Sequence, residues 1–173
     1  MTLGIETVTD LEAQAEILRR RRYGVIDVVD GRLVAVQLRP WPKWASLPEV
    51  MWGNRYHQRR PGNRCRLYYN QPLLHSNFIA LTYGVSSRDC TLATCQEALR
   101  VLDEIARIKQ TDALLCDAAN FRLSERVMAR FGWAAHNPSR WHRHFIKRFY
   151  GTYPSADRRT TSSAACELVE VSR

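Results

Sequence analysis

The chain has 173 residues, 45 % of them hydrophobic, and a formal net charge of +9 at pH 7. That length holds one domain with a proper core rather than two, and no apolar run approaches the ~20 residues a membrane-spanning helix needs. The N-terminal Met-Thr-Leu-Gly-Ile-Glu lacks the basic start and apolar centre of a secretory signal, so a cytoplasmic protein with no membrane association is expected.

Taken in order, Thr9-Asp-Leu-Glu12 reads as a capping box, in which the hydroxyl and the Glu each satisfy a free backbone donor at a helix start. Leu11, Ala15 and Leu18 continue one face to Arg22. The runs Val25–Val29 and Arg32–Leu38 flank Asp30-Gly31, a hairpin signal, because both central residues of a type I′ turn need positive φ. Pro40–Gly62 is broken by Pro40, Pro42, Pro48 and Pro61, with Trp41, Trp44, Trp52 and Tyr56 between them. There Ser46 can cap a short helix. Arg64–Tyr69 and Asn77–Tyr83 read as strands, the second rich in strand formers, and Gly84 interrupts it. A long helix is expected from Thr91 or Thr94 to Gln110. Its apolar stripe is Leu92, Cys95, Ala98, Leu99, Leu102 and Ile105, with Thr94-x-x-Glu97 as a second capping box. Ala113–Cys116 has the length and composition of a buried strand, which makes strand, helix and strand a parallel crossover unit. Asn120 or Ser124 can cap the next helix, with Leu123, Val127, Met128 and Phe131 on its apolar face and Gly132 at its end. Trp133-Ala-Ala and Trp141–Tyr150 supply a final strand pair across the turn at Asn137-Pro138-Ser139. Residues 1–154 therefore form the folded domain, and the Ser- and Ala-rich 155–173 reads as a loose tail.

The charge is unevenly spread. No Asp or Glu occurs from Val50 to Arg88 or from Arg126 to Ala156. Arg55, Arg59, Arg60 and Arg64 in the first stretch, and Arg140, Arg143, Lys147 and Arg148 in the second, are candidates for contacts to nucleic acid or another acidic partner. The five cysteines are odd in number and contain no CxxC pair. Reduced thiols are expected rather than a disulfide framework or zinc ribbon. His142-x-His144, with His136 nearby, has no Asp or Glu close in sequence, so no metal site is expected there. No Gly-x-Ser-x-Gly elbow or Walker loop is present.

The stretch Asp112–Tyr150 runs strand, helix bearing Asn120, Gly132-Trp133 and final hairpin. In this it resembles the C-terminal half of the GCN5-related N-acetyltransferase superfamily, and the resemblance extends over roughly Asn77–Tyr150. It implies an α/β (α+β) fold, a single acetyltransferase-like domain with a mixed, mostly antiparallel sheet and helices on both faces. It further implies acyl transfer from acetyl-coenzyme A, or another acyl-coenzyme A, to an amine. In that family the strand before the long helix presents its backbone to the pantetheine arm, and the following loop holds the pyrophosphate. The corresponding cofactor-binding residues here are Tyr83, Val85, Ser86, Ser87, Arg88, Thr91 and Asn120, with Asn120 as a catalytic candidate; Tyr83, Cys90 and a His are further catalytic candidates that no motif fixes. Two departures stand out. The loop lacks the family's glycines, and Met128 occupies the position where the family often has a proton-donating Tyr. A non-catalytic nucleic-acid-binding module on the same fold and a protein-interaction domain using the Trp-rich loop are the alternatives.

Overall fold

The computed structural model describes residues 4–41, 61–118, 125–136 and 143–154. In chain order these form β1 (Glu6–Val8), α1 (Ala15–Arg20), β2 (Tyr23–Val29), β3 (Arg32–Arg39), β4 (Arg64–Asn70) and β5 (Phe78–Ser86). There follow α2 (Leu92–Ile108), β6 (Ala113–Ala118), α3 (Glu125–Arg130), β7 (Ala134–Ala135) and β8 (Arg143–Arg148). The strands make one mixed sheet in the order β1-β3-β2-β4-β5-β6-β8-β7. Only β5 and β6 run parallel; the other described pairs are antiparallel. This is the α+β architecture the sequence pattern implies.

The hairpin signal holds: Asp30 and Gly31 have φ of 50° and 72°, and β2 pairs with β3 around them. The first capping box does not form as expected. Asp10 Oδ1 accepts from the Glu12 and Ala13 amides, and Gln14 Oε1 accepts from Thr9. Glu12 is thereby left to pair with Arg107 on α2. Gly84 does not end β5, which continues to Ser86 with Gly84 opposite Leu67, whose Cδ2 a Cβ there would meet at 3.3 Å.

Helix α2 is the packing centre. Its buried face is Thr94, Ala98, Val101, Leu102, Ile105, Ala106 and Ile108, set against Ile26, Val28, Leu67, Tyr69 and Ile79 from the strands. Leu92, assigned to that stripe by spacing, is instead exposed, and Leu99 is only half-buried. Val101 and Ala106 take their share of the core. Thr91 rather than Thr94 is the cap, accepting from the Thr94 amide at 3.3 Å. Thr94 is fully buried and its hydroxyl accepts from the Gly31 amide at 3.0 Å, which ties the β2–β3 turn to the helix start. At the other end of α2, Lys109 Nζ donates to Arg21 O at 2.6 Å and to Gln71 Oε1 at 3.0 Å. Helix α1 packs on α2. The end of α3 meets α2 on the same side, across a cleft of about 360 Å³ that contains Leu99, Phe131 and the Asp103–Lys147 ion pair (2.6 Å). Helices on the opposite face, expected from the sequence, are not among the described residues.

Candidate functional site

Two strands that pair in parallel and then part leave a wedge where neither strand pairs with the other, and the described part of this sheet has one such place. β5 and β6 are in register from Phe78↔Ala113 to Leu81↔Cys116. Beyond that point β6 pairs with β8 alone, through Asp117↔His144 and Ala118↔Arg143, while β5 follows β4 to Ser86. The parting coincides with a bulge. Tyr68 faces Tyr83 and Tyr69 faces Leu81, so Thr82 is the extra residue, with its hydroxyl on Tyr68 O at 3.1 Å. The Tyr83 ring, 36 % exposed, lies tilted against Tyr68 with centroids 5.8 Å apart. Cys116 marks the closed end of the wedge; burial, with Asp117 beside it, pushes its thiol up to about 11.

The loop from Val85 to Thr91 lies at the open end, in front of α2. Ser86 and Val85 remain in the sheet, opposite Cys65 and Arg66. Ser87 is occupied by the protein itself. Its amide donates to Arg64 O at 2.9 Å, and its hydroxyl accepts from the Arg64 amide at 2.8 Å and donates to Gly62 O. Asn63 Oδ1 accepts from the Thr91 amide at 2.9 Å and from the Thr91 hydroxyl at 3.2 Å. Asp89 Oδ2 accepts from the Gly62 amide at 3.2 Å. A neutral carboxamide thus occupies the helix start, where anions ordinarily sit. Arg88 is exposed in the turn and is the cation of this loop. Sequence reasoning missed Asn63, because nothing local to it signals that it caps a loop 28 residues away.

The basic candidates are dispersed. Arg64 and Arg66 both bind Asp27, a buried β2 carboxylate; Arg64 Nε reaches Oδ1 at 2.6 Å and Arg66 Nη2 reaches Oδ2 at 3.1 Å. Burial alone would raise the Asp27 carboxyl, but the hydrogen bonds from Arg64 and Arg66 outweigh it and hold it below its ordinary value. Lys147 is engaged with Asp103. Burial wins at that pair and raises the Asp103 carboxyl despite the ammonium beside it. Arg148 is exposed on β8. Arg143 contributes its backbone to the same strand, and its side chain is not described. Arg55, Arg59, Arg60, Arg140 and the family-like Asn120 lie outside the described residues, as do Trp44, Trp52, Tyr56, Ser124 and His142. His144 does find a carboxylate, Asp117, at 3.8 Å across the β6–β8 pair, a partner distant in sequence.

No family model matches the chain, and no curated protein matches its sequence. Among solved structures, a crystal structure of nourseothricin acetyltransferase is similar in fold outline, with a TM-score of 0.42 and 10 % identity, over 83 % of this chain and 98 % of that one. Among the described residues, no helix is long and apolar enough to cross a membrane.

Proposed function

We propose that the protein is an acyl-coenzyme A-dependent N-acyltransferase, with the cofactor arm lying along the open edge of β5 where β6 departs. The observation that supports this most is the parting of the two parallel strands after Leu81 and Cys116, directly before the loop and long helix. In the superfamily the sequence resembles, this is the strand that presents its backbone to pantetheine. An edge without a strand partner offers peptide N–H and C=O groups to an amide-bearing chain as a neighbouring strand would. In the reaction the amine nitrogen bonds to the thioester carbonyl carbon and the C–S bond breaks. The sulfur leaves as coenzyme A thiol, with the proton lost by the amine. The protein's main contribution is to hold thioester and amine together, while backbone donors aimed at the carbonyl oxygen stabilise developing charge. Tyr83 lines the wedge, and Arg88, exposed in the loop before α2, is the residue assigned here to the pyrophosphate. The acyl group and the amine acceptor are left open. The ion pairs that occupy Arg64, Arg66 and Lys147 do not favour the nucleic-acid alternative.

Calorimetric titration with acetyl-coenzyme A tests the reading. Wild type should bind, and Arg88→Ala should bind about tenfold more weakly, as expected for losing a charge-assisted contact. No heat and no competition at millimolar ligand would reject it.

A further inference from the structure

The five cysteines look scattered in the sequence, yet the fold gathers three of them. Cys65 projects from the core side of β4, Cys90 sits in the loop after β5, and Cys95 is the fourth residue of α2. Their three sulfurs all lie within 4.8 Å of one another, and Cys90 Sγ is 3.5 Å from Cys95 Sγ. We propose that Cys65, Cys90 and Cys95 form a three-thiolate site for a thiophilic d10 metal ion, zinc or copper(I), that staples β4 to the start of α2.

The geometry suits one shared ion. A metal about 2.3 Å from each sulfur places the sulfurs about 3.8–4.0 Å apart, so the observed cluster needs only small side-chain adjustments. Cys65 is held in the sheet between Val28 and Ser86. Cys95 is held by its helix, its amide donating to Thr91 O at 3.2 Å. Two sides of the site are therefore already rigid, which favours binding. Cys65 is buried, while Cys90 and Cys95 are half-exposed, leaving an approach from solvent and room for a water or another fourth ligand.

The electrostatics agree. Cys90 and Cys95 flank the N-terminus of α2, whose dipole favours thiolate over thiol. The hydrogen bond from Cys65 outweighs burial and pulls the Cys95 thiol down to about 6, while the same interaction and burial push Cys65 up. Burial, with the Cys95 contact, pushes Cys90 up to about 12. Binding a cation forms three metal–sulfur bonds and releases thiol protons to solvent, with no change of oxidation state. No carboxylate or imidazole joins the group among the described residues. An all-sulfur donor set selects soft ions over calcium or magnesium.

The test uses the full chain, reduced with a non-chelating phosphine and freed of metal. Titrations with Zn2+, with Cd2+ as a spectroscopic probe, and with Cu+ should each be followed by mass and by the thiolate-to-metal charge-transfer band. We expect one ion per chain, proton release on binding, and a rise in melting temperature that a chelator reverses; the tighter ion of Zn2+ and Cu+ identifies the occupant. Cys116→Ala/Cys166→Ala leaves these three as the only cysteines and should bind with unchanged stoichiometry. Cys90→Ser and Cys95→Ser, at half-exposed positions, should lose the band while keeping the native circular dichroism. Cys65→Ser is at a buried position, so the proposal does not depend on its folding. Wild type that binds no ion under reduction overturns the site. So does binding that survives Cys90→Ser/Cys95→Ser, or that vanishes in Cys116→Ala/Cys166→Ala.

Discussion

Asn63→Asp is the most informative single change at the candidate site. The carboxamide oxygen accepts from the amide and hydroxyl of Thr91, the residue that caps α2. A carboxylate in its place turns a neutral bond, about 0.5–1.5 kcal/mol net, into a charged one of about 1.5–3 kcal/mol. It also meets the positive end of the helix, worth about 0.3–1 kcal/mol. Asp89, whose carboxylate sits on the amide of the preceding residue, Gly62, repels it and offsets part of the gain. The net expectation is stabilisation by about 0.5–1 kcal/mol, or roughly 1–4 °C in melting temperature for a chain of this size. The same substitution places negative charge where the cofactor's pyrophosphate would approach, so acetyl-coenzyme A should bind at least about tenfold more weakly. Asn63→Ala should do the opposite on both counts, destabilising the loop while releasing the Thr91 donors to a ligand. Thermal and denaturant melts read the first effect, calorimetry the second. If the Asn63→Asp variant melts below the Asn63→Ala variant, the account of the helix start is refuted. Stabilisation without any change in ligand affinity would move the pyrophosphate elsewhere.

Leu102→Ala should cost about 2–5 kcal/mol in denaturant unfolding, because Leu102 is fully buried, and Leu99→Ala clearly less; equal losses would show that the wrong face of α2 is against the sheet. Gly24→Ala should destabilise by about 1–3 kcal/mol or more, since its new methyl would lie 2.5 Å from the buried Tyr69 ring, and Tyr69→Leu in the same chain should recover part of that. A Gly24→Ala protein as stable as wild type would place that ring elsewhere. Asp27 has a native carboxyl below its unfolded value, so the unfolded chain binds more protons at acid pH. Its stabilising contribution is present above about pH 4 and is lost as pH falls through the native value; Asp27→Asn should flatten that part of the stability profile, and an unchanged acid limb would rule the pairing out.

Elements with a local cause are legible in the sequence. The Asp30-Gly31 hairpin, the β5–α2–β6 crossover and the Gly132 helix end each depend on residues within one or two turns of chain. Features set by distant partners are not. Spacing errs at one end of the α2 stripe, where Leu92 is exposed, although Ala98, Leu102 and Ile105 are buried and Cys95 and Leu99 pack against the core. Arg64 reads as an anion contact because its partner, Asp27, is 37 residues away. The loop 85–91 is recognisable as the segment between strand and helix. That its Ser87 and Thr91 donors are taken by Arg64 and Asn63 becomes visible only once β4 is laid beside it.

The extra residue at Thr82 has a consequence for how this sheet can tolerate change. Before it, Ile79 and Leu81 point into the core; after it, Gly84 faces Leu67 there, and Tyr83 turns to meet Tyr68 on the other side. The bulge absorbs one residue without changing which face its neighbours take. Without Thr82, Leu81 and Tyr83 would follow one another opposite Tyr69 and Tyr68 in regular alternation, and Gly84 would still face Leu67. What the extra residue supplies is the local bend where β6 departs, together with the Thr82 hydroxyl bond to Tyr68 O. Deleting Thr82 should therefore straighten the strand and reshape the wedge while leaving the core side chains of β5 on their present face.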